Sequence, residues 1–165
     1  MCRRSVNVSV RLYDNVIFND GKLILENQFD QINAKKDEYG KPYIEDFSIV
    51  TMFDLLGTTK QEEQATNIVN GKQSIDVLIR MTKISKNTEK QFTWDVSKFT
   101  INPDIESIHE ACVPFINITR AVNINKLYLN EDYVGKYAVK VLMKNPNEEL
   151  WTLQSVSQLI ISNEE

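Results

Sequence analysis

The chain has 165 residues, a length that fits one domain able to bury a sizeable core without disulfide or metal staples. An apolar fraction of 42% and a charged fraction of 25% argue against disorder, and a net charge of −4 argues against gripping nucleic-acid phosphates with clustered lysine and arginine. Two cysteines, Cys2 and Cys112, are too few for a disulfide framework, and no apolar run approaches the roughly 18 residues of a membrane helix, so the reading is a single domain over 1–165 in a reducing cytoplasm, away from membrane and nucleic acid.

The dominant period along the chain is two. Val6, Val8, Val10 and Leu12 alternate with Asn7, Ser9 and Arg11, the pattern of a half-buried strand. Val16-Ile17-Phe18 and Leu23-Ile24-Leu25 flank Asn19-Asp20-Gly21-Lys22, which predicts a hairpin because Asp-Gly accepts positive φ. Phe29 and Ile32 continue an apolar face. Residues 33–46 read as a polar loop punctuated by Gly40 and Pro42. Phe47–Leu56 is apolar on both faces and predicts a strand covered on both sides.

Thr59-Lys60-Gln61-Glu62 has the spacing of a capping box, with Ala65, Ile68 and Val69 behind it and Asn70-Gly71 to close it, so one short helix is expected near 59–70. Period two then returns in Ile75–Thr82. Lys86-Asn87-Thr88-Glu89 reads as a turn, and Phe92, Trp94 and Val96 as the following strand, with Trp94 facing the core. Phe115–Thr119 and Val122–Leu129 read as two strand pieces. Tyr137–Met143, a turn at Lys144–Glu148 and Trp151–Ile161 close the chain. The sum is about eight or nine short strands, an all-β domain of β-sandwich type.

Asp132-Tyr133-Val134-Gly135-Lys136-Tyr137 sharpens that expectation. It is similar, with one extra residue between Asp and Gly, to the corner before the penultimate strand of immunoglobulin-like sandwiches, where a tyrosine hydroxyl bonds upstream backbone. The fold expected is therefore an immunoglobulin-like β-sandwich with one short helix. The Cys…Trp…Cys spacing of antibody domains is absent.

Asp14-x-Val16, Gly21-Lys22, Phe29-Asp30-x-Ile32, Ala34 and Gly135-x-Tyr137, in that order, resemble a family of small uncharacterised bacterial β-sandwich proteins. The resemblance spans nearly the whole chain, with the 58–71 helical segment and the polar 33–46 stretch as departures. It implies the sandwich fold and carries no activity with it. Abundant Asn and Ile fit a bacterial or phage source.

Chemistry-bearing constellations are sparse. His109, Glu110 and Cys112 fall within one short segment, but one histidine and two cysteines fall short of the ligand set of a tetrahedral zinc site. A Cys112–His109 dyad would need contact and a third orienting group, and a partly buried cysteine is the plainer reading. The aspartates, among them Asp14, Asp20, Asp30 and Asp54, form no calcium-loop spacing and serve turns. The glycines at 21, 40, 57, 71 and 135 are isolated, so no phosphate loop is present. The sequons at Asn7 and Asn117 lie within strand-like alternation and read as chance matches. No enzyme, cofactor or metal is expected.

Aromatic residues are the remaining candidates for binding. Tyr39 and Tyr43 flank Gly40-Lys41-Pro42, and Trp151 follows a turn. Tyr and Trp give large contact area with a polar tip. The function expected is a non-catalytic protein-interaction module, an adaptor or assembly subunit that meets a protein partner or itself through sheet edges and loops. The alternative is a sandwich binding a small molecule or carbohydrate among its loops.

Overall fold

The computed structural model describes residues 5–56, 74–85, 92–101 and 115–164. Nine strands fill them: β1 (Ser5–Asn19), β2 (Lys22–Phe29), β3 (Gln31–Lys36), β4 (Pro42–Leu56), β5 (Ile75–Lys83), β6 (Thr93–Ile101), β7 (Phe115–Tyr128), β8 (Gly135–Lys144) and β9 (Thr152–Asn163). Among the described residues there is no helix. The helix expected near 59–70 lies outside them, as do Cys2, the turn at 86–89, His109 and Cys112.

The strands form a curled mixed sheet in the order β2-β1-β4-β3-β9-β8-β5-β6, with β7 on the other side of β4. All pairs are antiparallel except β3 with β9. Hydrogen bonding is continuous through β3, which pairs β4 at Lys35↔Tyr43 and β9 from Gln31↔Ile160 to Ala34↔Asn163. Two halves of the sheet thus face each other across one apolar interior. Val8, Val10, Leu12, Ile49 and Phe53 meet Val77, Ile79, Val139, Leu159 and Ile161 in a single cluster. Phe53 and Phe99, from opposite halves, pack edge to face at 6.4 Å. Each fully buried side chain of this kind contributes about 1.5–3 kcal/mol. Trp94 joins the cluster with its ring 5.8 Å from Tyr137, as its alternation predicts.

Two stretches differ from the sequence reading. The polar segment 33–46 is mostly strand. Only Asp37–Lys41 turns, while Ala34 and Ile44 are buried, so two inward side chains outweigh a polar composition. The two pieces near 115–129 are one strand, because β7 stays in register with β4 from Leu56↔Phe115 to Tyr43↔Tyr128. Within the Phe47–Leu56 stretch expected to be covered on both sides, Phe47 through Thr51 are buried on both faces, while Met52 and Asp54 are partly exposed.

The corner before β8 is present. The Tyr137 hydroxyl donates to the Tyr133 carbonyl at 2.5 Å, fully buried. The Tyr133 hydroxyl donates to Asn163 Oδ1 on β9. The Lys83 ammonium, also buried, donates to the Asp132 carbonyl and lies 3.4 Å from its carboxylate. Burial, and then the Asp132 charge, push the Tyr137 phenol up to about 12.

A kink in β4 divides the partners of its edge. Asp46 there has a φ of 55°. β1 pairs with β4 from Ser5↔Leu56 only as far as Tyr13↔Ser48, and beyond the kink β3 takes over that edge. Among the described residues, β2 is therefore the only strand paired with the second half of β1.

Candidate functional site

The sequence-predicted residues fall into two separate places. Tyr39 and Tyr43 sit at the β3–β4 turn. Asp37 builds that turn: its carboxylate accepts the Lys41 amide at 2.8 Å and the Tyr39 amide at 2.9 Å. The Lys41 amide, with help from the Tyr39 amide and the Tyr128 hydroxyl, holds the Asp37 carboxyl below its ordinary value. Tyr39 at the tip is 79% exposed. Tyr43 is half-buried and packs against Tyr128 of β7, rings 5.9 Å apart. Lys126 Nζ stands 4.3 Å from the Tyr43 ring centre and 5.8 Å from that of Tyr128. Tyr128 and Lys126 were not singled out by the sequence, since only the β4–β7 register brings them beside Tyr43.

Trp151 lies at the far end of β9 from this patch. β9 has 12 residues, which at about 3.3 Å per residue spans nearly 40 Å. Its ring stands between Lys144 of β8, 5.3 Å away, and Lys98 of β6, 5.6 Å away. It thus crosses the outer face of β5, where Leu78 pairs with Lys98 and Leu142 and is only 4% exposed. The structure therefore gives Trp151 a covering role on an outer sheet face and does not bring it together with Tyr39 and Tyr43.

Two pockets bear on a small-molecule reading. One of about 140 Å³ lies beside the β8–β9 turn, lined by Met143, Lys144, Glu148 and Thr152 among others. Another of about 240 Å³ lies at the Asp46 kink, bordered by Asp14, Asn15, Ser48, Asn123 and Asn125. Both fall below the roughly 300–1,000 Å³ usual for ligand sites, and the second is lined mostly by polar side chains. Among the described residues no cluster of three metal-ligating side chains forms. No helix among them is long and apolar enough to cross a membrane.

The most unusual surface is one whose character the sequence hid. Beyond the kink, β1 and β2 form a two-stranded ribbon closed by Asp20 and Gly21, with φ of 49° and 72°, the two positive values of a type I′ turn. Its pairs are Val16↔Leu25, Ile17↔Ile24 and Phe18↔Leu23. Phe18 is 75% exposed, Ile24 42%, Ile17 37% and Leu23 37%. Six apolar residues thus cover both faces of a ribbon that no other described strand pairs. Single exposed apolar residues are ordinary; a contiguous group of them is not. The outer edge of β2 is also unpaired among the described residues, as are those of β6 and β7.

No protein-family model matches the chain and no curated protein matches it, in keeping with a resemblance to an uncharacterised family. Among solved structures, the chain is similar to the Pseudomonas fluorescens alkylpurine DNA glycosylase AlkC, bound to DNA containing an abasic site analog, with a TM-score of 0.35 and 10% identity over 98% of this chain and 31% of that one. It is also similar to the CooA pilin subunit from enterotoxigenic Escherichia coli, with a TM-score of 0.33 and 9% identity over 97% of this chain and 99% of that one.

Proposed function

We propose that the chain is a non-catalytic protein-interaction module, an adaptor or subunit of a bacterial or phage assembly, built on an immunoglobulin-like sandwich scaffold. The apolar β1–β2 ribbon carries this reading. Phe18, Ile17, Leu23 and Ile24 face solvent on an element that a lone soluble domain gains nothing by displaying, since burying such side chains against a partner is favourable. Strand edges that are unpaired among the described residues support it further, because such edges accept an added strand. The facing sheet halves and the Tyr137 corner support the scaffold assignment. A cytosolic setting, with no nucleic acid, membrane or cofactor, belongs to the same proposal and rests on composition.

The test is retention of a defined partner. Immobilised wild-type protein and a Phe18→Ser/Ile24→Ser variant are compared in native lysate. A partner held by the wild type and released by the variant supports the reading. Equal retention by both, or none by either, overturns it.

One observation favours a small-molecule or carbohydrate binder instead: the 140 Å³ pocket at the β8–β9 turn, lined by Lys144, Glu148 and Thr152. Thermal-shift screening against sugars and nucleotides decides that reading, since a ligand of the native state raises the melting temperature. A flat result removes it.

A further inference from the structure

We propose that the β1–β2 ribbon joins two copies of this chain by antiparallel pairing of β2 with its own counterpart, centred on Ile24. This deepens the interaction reading above and rests on it.

The hairpin geometry fixes which groups are free. In a two-residue hairpin the closing pair exchanges hydrogen bonds, and bonded pairs alternate from there. Asn19↔Lys22 closes the turn, so Ile17↔Ile24 and Asn15↔Glu26 are also bonded pairs. Lys22, Ile24 and Glu26 therefore direct N–H and C=O toward β1. Leu23 and Leu25 direct theirs outward, to the edge of β2 that is unpaired among the described residues.

A two-fold axis through Ile24 sets Leu23 opposite Leu25 of the second copy, so outward groups meet outward groups. It sets Ile24 against Ile24, and Lys22 against Glu26 in both symmetric positions. These last are non-bonded pairs, the closer kind, with Cα atoms about 4.5 Å apart. Moving the axis one residue either way sets Ile24 against Lys22 or against Glu26. Parallel, in-register pairing sets Lys22 on Lys22. The segment Lys22-Leu23-Ile24-Leu25-Glu26 is complementary to itself in one antiparallel register only.

The charges are available for it. Among the described residues neither Lys22 nor Glu26 is in a salt bridge. Glu26 is held on the proper face by Asn15, whose amide donates to it at 3.3 Å. Asn27, with a φ of 55°, bends β2 immediately beyond, so the paired segment ends where the complementarity does. The joined ribbons form four strands, with Ile17 and Ile24 and their mates in a row on one face and Val16, Phe18, Leu23 and Leu25 on the other. Four strands with apolar faces satisfy what two cannot.

Sedimentation velocity across a wide concentration range tests this on the full chain. Wild type is expected to dimerise reversibly. Lys22→Glu makes both pairs Glu against Glu, and Glu26→Lys makes both Lys against Lys, so each variant alone should associate roughly tenfold to thirtyfold more weakly. Mixed in equal amounts, the two variants restore opposite charge at both positions and should form heterodimers at near wild-type strength. Unchanged circular dichroism confirms that each variant folds. A wild type that stays monomeric overturns the proposal, as does a dimer indifferent to both substitutions or a mixture that fails to associate. The wider interaction reading falls separately, only if the lysate experiment also comes back empty.

Discussion

Replacing Tyr137 by Phe tests the physical account of the corner. The hydroxyl donates to the Tyr133 carbonyl at 2.5 Å in a site with no solvent access. Removing it loses a net hydrogen bond and leaves a buried carbonyl with one partner fewer, together about 1.5–3 kcal/mol. A domain of this size shifts its melting temperature about 2–4 °C per kcal/mol, so a fall of roughly 3–12 °C is expected. The ring stays, so its packing on Trp94 at 5.8 Å survives, and Trp94 fluorescence in a urea titration reports the change. A second readout is independent of the first. The folded phenol is pushed from 10.0 to about 12, so the folded state holds the proton more tightly than the unfolded chain does. The associated stability is complete below pH 10, shrinks as pH rises, and is gone above about 12. Two units amount to roughly 2–3 kcal/mol. Wild type should lose that much across this window, and Tyr137→Phe should lack that share of the loss. A variant within about 0.5 kcal/mol of wild type, or one that keeps the full alkaline loss, refutes the reasoning.

Three further outcomes are expected from the same structure. Phe53→Ala should cost about 3–5 kcal/mol in denaturant titration, because Phe53 is fully buried and bridges to Phe99 across the two sheet halves. Gly135→Ala should cost about 1–3 kcal/mol by the same assay, since φ is +145° there and a Cβ would meet the Lys83 Cε at 3.3 Å. Acidification should loosen the β3–β4 turn. The Asp37 carboxyl is held below 3.8, so its contribution is intact above that value and fades as pH falls through the depressed one, read as faster amide exchange at Tyr39 and Lys41.

Much of the architecture was legible because period two is a direct imprint of a pleated strand with one buried face. Ile75–Thr82 and Tyr137–Met143 are strands for that reason, and their inward residues Val77, Ile79, Val139 and Val141 are all fully buried. The Asp20-Gly21 turn was legible because its chemistry is local. Segment 33–46 was not, because its strand character comes from pairing with β9, about 130 residues further on, and with β7, rather than from composition. Parallel pairing of β3 with β9 was hidden for the same reason. Tyr39 and Tyr43 stood as an exposed pair in the sequence reading; Tyr39 is exposed, but Tyr43 is half-buried. Tyr43 belongs to a cluster with Tyr128 and Lys126 that depends on the β4–β7 register. Trp151 gave no clue to the face it covers, since a residue just after a turn has no alternating partner to fix its side.

The β1–β2 ribbon shows why the candidate surface was the least legible part. Val-Ile-Phe opposite Leu-Ile-Leu is apolar on both faces, the same signature that announced β4 as covered. The pattern measures demand for burial and not its supply. In β4 the supply comes from β1 and β7 alongside and from the opposite sheet half, and Phe47–Thr51 are buried. In the ribbon the Asp46 kink hands the β4 edge from β1 to β3, and the demand goes unmet within the described residues. One strand therefore serves two ends. Val8, Val10 and Leu12 lock the first half of β1 into the interior, and the second half is displayed from that anchor. Lys22 and Glu26 are exposed and lie outside the apolar cluster, so charge changes there are expected to act on the proposed association and little on the stability of the fold.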